Sequence, residues 1–115
     1  MIGDPRLSPR ARAAVGTPSA DVFVSAASAW ELAVNVRLGK LPEASRLTHR
    51  LAESLAEQDF KALPMSLEHG RLGGLLPGPH RDPFDRILAA QALLDDLALV
   101  TNDAAFSAFG VSTLW

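Results

Sequence analysis

His80-Arg81-Asp82-Pro83-Phe84-Asp85-Arg86-Ile87-Leu88-Ala89-Ala90-Gln91-Ala92 is the stretch on which the reading of this chain turns. Asp82 has the short polar side chain of a helix N-cap, and Pro83 suits the first helical position, where no N–H partner is needed. Asp85 falls in the first turn, where the helix dipole favours negative charge. Beyond it Ile87, Leu88, Ala89, Ala90, Ala92, Leu93 and Leu94 cover nearly every face, and a helix apolar all round is a buried one. The segment therefore sets a carboxylate at the mouth of a core helix. Capping alone accounts equally well for Asp82 and Asp85 at this stage.

Outward from this helix, strand and helix patterns alternate. On its C-terminal side Ala98 to Thr101 reads as a strand with Asn102-Asp103 at its end. Ala104 to Phe109 is a short helical turn stopped by Gly110, and Val111 to Trp115 is a last strand. On its N-terminal side Pro77 to His80 is a loop, and Ser66 to Leu76 a helix weakened by Gly70, Gly73 and Gly74. Phe60 to Met65 is a short edge strand because of Pro64. Leu47, Leu51, Leu55 and Ala56 mark one amphipathic helix, joined by Leu41-Pro42 to a helix from Ala27 to Leu38 that Gly39 closes. In that helix Trp30, Ala33, Val34 and Leu38 form the apolar face, and Ser28 and Glu31 are spaced as a capping box. Val22 to Ala26 is a buried strand. Ser8 caps a helix beginning at Pro9 and running to Val15, after a turn at Gly3 to Leu7. The alternation argues for a parallel sheet covered by helices.

The 115 residues suffice for one domain, 1–115, with one core. An apolar fraction of 48% with 21% charge excludes a disordered chain. A net charge of −2 gives no global basic field for nucleic acid, leaving only a local contact. Without cysteine there is neither disulfide nor thiolate metal site, and the balance tilts toward the cytoplasm. No run is long and apolar enough to span a membrane, and the polar N-terminus lacks a signal-peptide core.

Three carboxylates stand apart by position. Glu31 lies in the first turns of the helix after one strand, Asp85 starts the core helix, and Asp103 follows the strand that helix precedes. In open parallel sheets ligands bind beyond the carboxyl ends of the strands, so the three are expected to converge at one rim. Gathered carboxylates repel and call for a cation or raised pKa values. Oxygen ligands without sulfur suit Mg²⁺ or Mn²⁺, a set fitted to phosphodiester hydrolysis. His49, His69 and His80 are too scattered for zinc and read as surface or packing residues. Trp30 reads as core rather than as a base-stacking ring. Arg81 and Arg86 read as phosphate contacts or as solvated residues around a helix start.

Four segments carry a resemblance: Ser25-Ala26-Ala27-Ser28-Ala29-Trp30-Glu31-Leu32, Arg37-Leu38-Gly39-Lys40-Leu41, His80-Arg81-Asp82-Pro83-Phe84-Asp85-Arg86 and Val100-Thr101-Asn102-Asp103. In this order they are similar to PIN-domain ribonucleases, above all to the VapC-like toxins of toxin–antitoxin pairs. The resemblance implies a three-layer α/β/α fold with a parallel sheet. It implies Mg²⁺-dependent hydrolysis of RNA with Glu31, Asp85 and Asp103 as the acidic residues, and Asp82 as a cap. It also implies a cognate antitoxin and a homodimer as partners. Such proteins begin with a strand bearing a further acidic residue and a helix, so the first, central strand is expected to be absent here, with Asp4 no substitute for it. Asn35 stands where relatives carry a lysine. The leading expectation is a toxin endoribonuclease of low activity. The alternative is a catalytically silent, truncated toxin that binds an antitoxin, and a third is a metal-free α/β domain whose acids only cap helices.

Overall fold

The computed structural model describes residues 8–17, 19–40, 45–78 and 82–115. The turn expected at Gly3 to Leu7, the start of the connection at Leu41-Pro42, the end of the loop at Pro79-His80, and Arg81 lie outside the described residues. Helix α1 (Pro9–Val15) starts at Ser8, whose Oγ accepts from the Ala11 N–H at 3.0 Å, and Pro9 opens it. Strand β1 (Phe23–Ser25) leads directly into α2 (Ala26–Arg37). The cap of α2 is Ser25, whose Oγ accepts from Ala27 N–H at 3.1 Å. This corrects the expected Ser28–Glu31 capping box: the helix starts earlier, because the strand's last residue turns its hydroxyl back onto the first free N–H. The expected apolar face of α2 is also only partly inward. Ala27 is buried and Ala33 and Val34 are half-buried, but Trp30 and Leu38 are exposed.

The single helix expected around Leu47 to Ala56 is two, α3 (Ser45–His49) and α4 (Leu51–Glu57), broken at Arg50. The His49 ring folds back to bond the Ser45 carbonyl through Nδ1 at 2.9 Å, a local contact that closes α3. Strand β2 (Lys61–Leu63) stops at Pro64, which has no N–H for a ladder. Helix α5 (Leu67–Leu75) begins with a capping box: Ser66 Oγ accepts from His69 N–H, and Ser66 N–H donates to His69 Nδ1. With Nδ1 accepting, the ring proton sits on Nε2 and is donated to Asp95 Oδ2 at 2.9 Å. The buried His69 thus ties the start of α5 to the end of the next helix, a packing role.

That next helix, α6 (Pro83–Leu94), carries the core. Leu88, Ala89, Ala90 and Ala92 are buried with Ala27, Leu76, Leu99, Phe106, Phe109 and Val111. Side chains such as Leu88 and Leu99 each contribute about 1.5–3 kcal/mol by leaving water. Burial does not extend over the whole helix: Leu93 and Leu94 are exposed in its last turn. Helix α5 approaches α6 at Gly73, where an added Cβ would lie 3.2 Å from both the Arg86 carbonyl oxygen and Ile87 Cδ1. The glycine that weakens α5 as a helix is therefore what lets it pack.

After α6 come β3 (Leu99–Val100), a 3₁₀ helix (Ala104–Phe109) and β4 (Thr113–Leu114), with Gly110 turning the chain at φ +78°. Strand β1 pairs with β2, and β3 with β4, both in parallel. The chain is an α/β fold with parallel strands, as expected. Among the described residues the strands form two separate pairs and not one continuous sheet.

Candidate active site between helices α2 and α6

The site begins with a buried bond. Ser25 ends β1 and caps α2, and its hydroxyl also donates to Gln91 Oε1 of α6 at 2.5 Å. Both residues are fully buried. Gln91 Nε2 donates in turn to the Pro64 carbonyl after β2 at 3.4 Å. One amide thereby holds the ends of β1 and β2 and the start of α2 against α6. No buried side-chain polar atom among the described residues lacks a partner. Gln91 was not singled out from sequence. The only signal for it was a lone amide in an otherwise apolar helix, where burial demands hydrogen bonds.

Held in this way, α2 and α6 bring their carboxylates together. Asp82 is the N-cap of α6, its Oδ1 accepting from Phe84 N–H at 2.9 Å and Asp85 N–H at 3.3 Å, as read from the sequence. Asp85 follows in the first turn, half-buried. Glu31 of α2 lies opposite: partial burial, then the charges of Asp82 and Asp85, push its carboxyl above the usual range. That is the like-charge crowding expected where acids share a site. Beside them Trp30 stacks on Phe84, ring centroids 4.7 Å apart and planes inclined by 24°.

Asp103 is placed differently. It is exposed and caps the 3₁₀ helix, its Oδ1 accepting from Ala105 N–H at 2.9 Å, with its own N–H donating to Thr101 Oγ1. It is not among the charges that raise Glu31. Among the described residues no group of three or more acidic or histidine side chains is gathered so as to hold a metal ion. The donor chemistry that remains, the carboxylates of Glu31 on α2 and Asp85 on α6, fits Mg²⁺, which keeps several waters and leans on one or two carboxylates.

Arg86 requires a correction. Expected at a substrate phosphate, its guanidinium instead caps the C-terminal end of α5: Nε donates to the Gly73 carbonyl at 2.8 Å, and the terminal nitrogen to the Leu76 carbonyl. The group also lies over the Phe109 ring. With the Gly74 carbonyl, which a terminal nitrogen also reaches at 3.4 Å, three carbonyls at the C-terminal end of α5 draw the cation in, as the negative end of a helix does. Trp30 is a second correction. It is 56% exposed and so not a core residue.

Comparison with known proteins places the fold. The PIN domain family matches residues 2–111. The structure of FitAB bound to an IR36 DNA fragment is similar over 99% of this chain and 94% of that one, with a TM-score of 0.66 at 22% identity. No curated protein sequence matches. No helix among the described residues is long and apolar enough to cross a membrane.

Proposed function

The chain belongs to the PIN domain family, a family of nucleases in general, and on that premise we propose that it is a Mg²⁺- or Mn²⁺-dependent endoribonuclease, the toxin of a toxin–antitoxin pair. The observation that carries the reading is the crowding of Glu31 against Asp82 and Asp85. Repulsion of this kind is unfavourable in the absence of a cation and turns favourable when one is bound.

Glu31 and Asp85 would hold the ion; Asp103, which this structure leaves capping the 3₁₀ helix and does not gather with them, is proposed as the third carboxylate. When bound, the ion lowers the pKa of water and steadies the charge developing on phosphate oxygens. The chain's own part is to keep the carboxylates in place. Asp82 sets the start of α6, Ser25 sets the start of α2, and Gln91 fixes one to the other. Arg81 is proposed as the phosphate contact that Arg86 is not free to supply. A cytoplasmic location is proposed together with the RNA substrate.

A homodimer and an antitoxin are proposed as partners, supported by the large apolar side chains left in water at Leu38, Met65, Leu67 and Leu75. Asp103's engagement as a cap favours one second reading, a catalytically silent module that only binds its antitoxin. The two are separated by cleavage of single-stranded RNA by the purified protein with Mg²⁺ or Mn²⁺. Glu31→Gln and Asp85→Asn are expected to lower the rate about a hundredfold or more, and chelation to abolish it. Cleavage that is unchanged in both variants would defeat the proposal. No cleavage by wild type alongside tight antitoxin binding would establish the silent module.

A further inference from the structure

We propose that Trp30 is a base-stacking platform, its open face receiving a nucleobase of single-stranded RNA beside the Glu31–Asp85 carboxylates. The identity of the ligand rests on the nuclease reading above; the platform itself rests on geometry. Trp30 is more than half exposed, an unfavourable placement for the largest apolar side chain unless something is to cover it. One side of the indole is already engaged, stacked on Phe84. Phe84 is half-buried and packs against the core cluster. The indole is thereby fixed in orientation before any ligand arrives, which lowers the entropy lost on binding.

The position is specific. Trp30 immediately precedes Glu31 on α2, and Phe84 immediately precedes Asp85 on α6. Successive helical residues point about 100° apart, so the aromatic pair and the carboxylate pair occupy adjoining faces of the same two helices. A nucleotide whose phosphate lies at the carboxylates has its base within reach of the indole. Every base has a π-face, so such a platform tolerates any sequence, and removing the stacking ring weakens binding. Nearby acids repel the phosphate, which makes occupancy of the platform dependent on a divalent cation.

The test uses Trp115→Phe, which leaves Trp30 as the single tryptophan of the two in the chain. A non-cleavable 2′-O-methyl RNA octanucleotide is titrated in Mg²⁺, reading both Trp30 emission and the anisotropy of labelled RNA. The emission should quench saturably in step with anisotropy. Trp30→Leu should weaken binding about tenfold or more, while Trp30→Tyr stays within a few-fold, both with unchanged circular dichroism. One position of an abasic scan should weaken wild type and leave Trp30→Leu unaffected, a coupling that general loss of structure would not produce. Saturated RNA binding with unchanged emission, absence of RNA binding by the folded protein, or Trp30→Leu binding like wild type would each overturn the platform. So would an emission change elicited by a protein partner but not by RNA. RNA bound through Trp30 yet never cleaved would leave the platform standing and remove the nuclease reading. Cleavage with an unchanged KM in Trp30→Leu would do the reverse.

Discussion

At the scale of single residues, Glu31 is the group whose environment is most at odds with its charge. Partial burial, then the neighbouring Asp82 and Asp85, disfavour its ionisation and hold its carboxyl above the usual carboxylate range. A raised folded-state value means that Glu31 contributes stability at low pH and loses it as pH climbs through that value. Glu31→Gln should therefore match wild type near pH 4 and melt higher near pH 7, by a modest margin since the carboxyl remains largely solvated. Mg²⁺ should close the gap by raising the wild-type Tm alone. Calorimetry at the two pH values, with and without Mg²⁺, checks this, and a wild type that is the more stable form at neutral pH without metal would refute it. Glu31, Asp82 and Asp85 were legible as acids on the right elements, since strand–helix order and cap chemistry are local. The fate of Arg86 was not legible. Its partners are the last carbonyls of α5, ten to thirteen residues away, which have no partner within their own helix. Trp30 failed for the same reason: periodicity names an apolar stripe but does not say which part of it meets a neighbour.

At the scale of elements, α5 and α6 form the most extensive contact, and Gly73 is a point of close approach within it. Gly73→Ala should raise the intrinsic helix propensity of α5 and still destabilise the protein, by about 1–3 kcal/mol, because the methyl would press on the Arg86 backbone oxygen. Gly74→Ala, with open space at its Cβ, should be neutral or stabilising. Urea denaturation of the two variants makes the comparison, and equal effects would show that packing does not set the requirement. This pair also marks the limit of element-level sequence reading. The three glycines of α5 looked alike from propensity, and the close approach that separates Gly73 from the others depends on a helix the local sequence does not contain. The break between α3 and α4 was missed likewise, since a histidine ring closing onto its own turn leaves the apolar spacing intact.

At the scale of the whole molecule, stability is unevenly shared. The core gathers on α6, β3 and the 3₁₀ helix, whereas α4 has no buried residue. Hydrogen exchange should find the amides of Leu88 to Ala92 the slowest and those of α4 among the fastest, a ranking that equal protection of the two helices would contradict. The strands are too short to specify their own alignment: β1 and β2 share three residue pairs, and β3 and β4 two. For β1 and β2, what stands in for length is the amide of Gln91. An amide has a donor pole and an acceptor pole that cannot be exchanged, and in a dry interior each must find its opposite. Shift β1 by one residue and Val24 or Ala26 takes the place of Ser25, leaving the acceptor pole without a hydroxyl. Gln91 thus works as a proofreader of assembly, reading the two strand ends in one molecule and rejecting the registers that a hydrophobic core alone would have accepted.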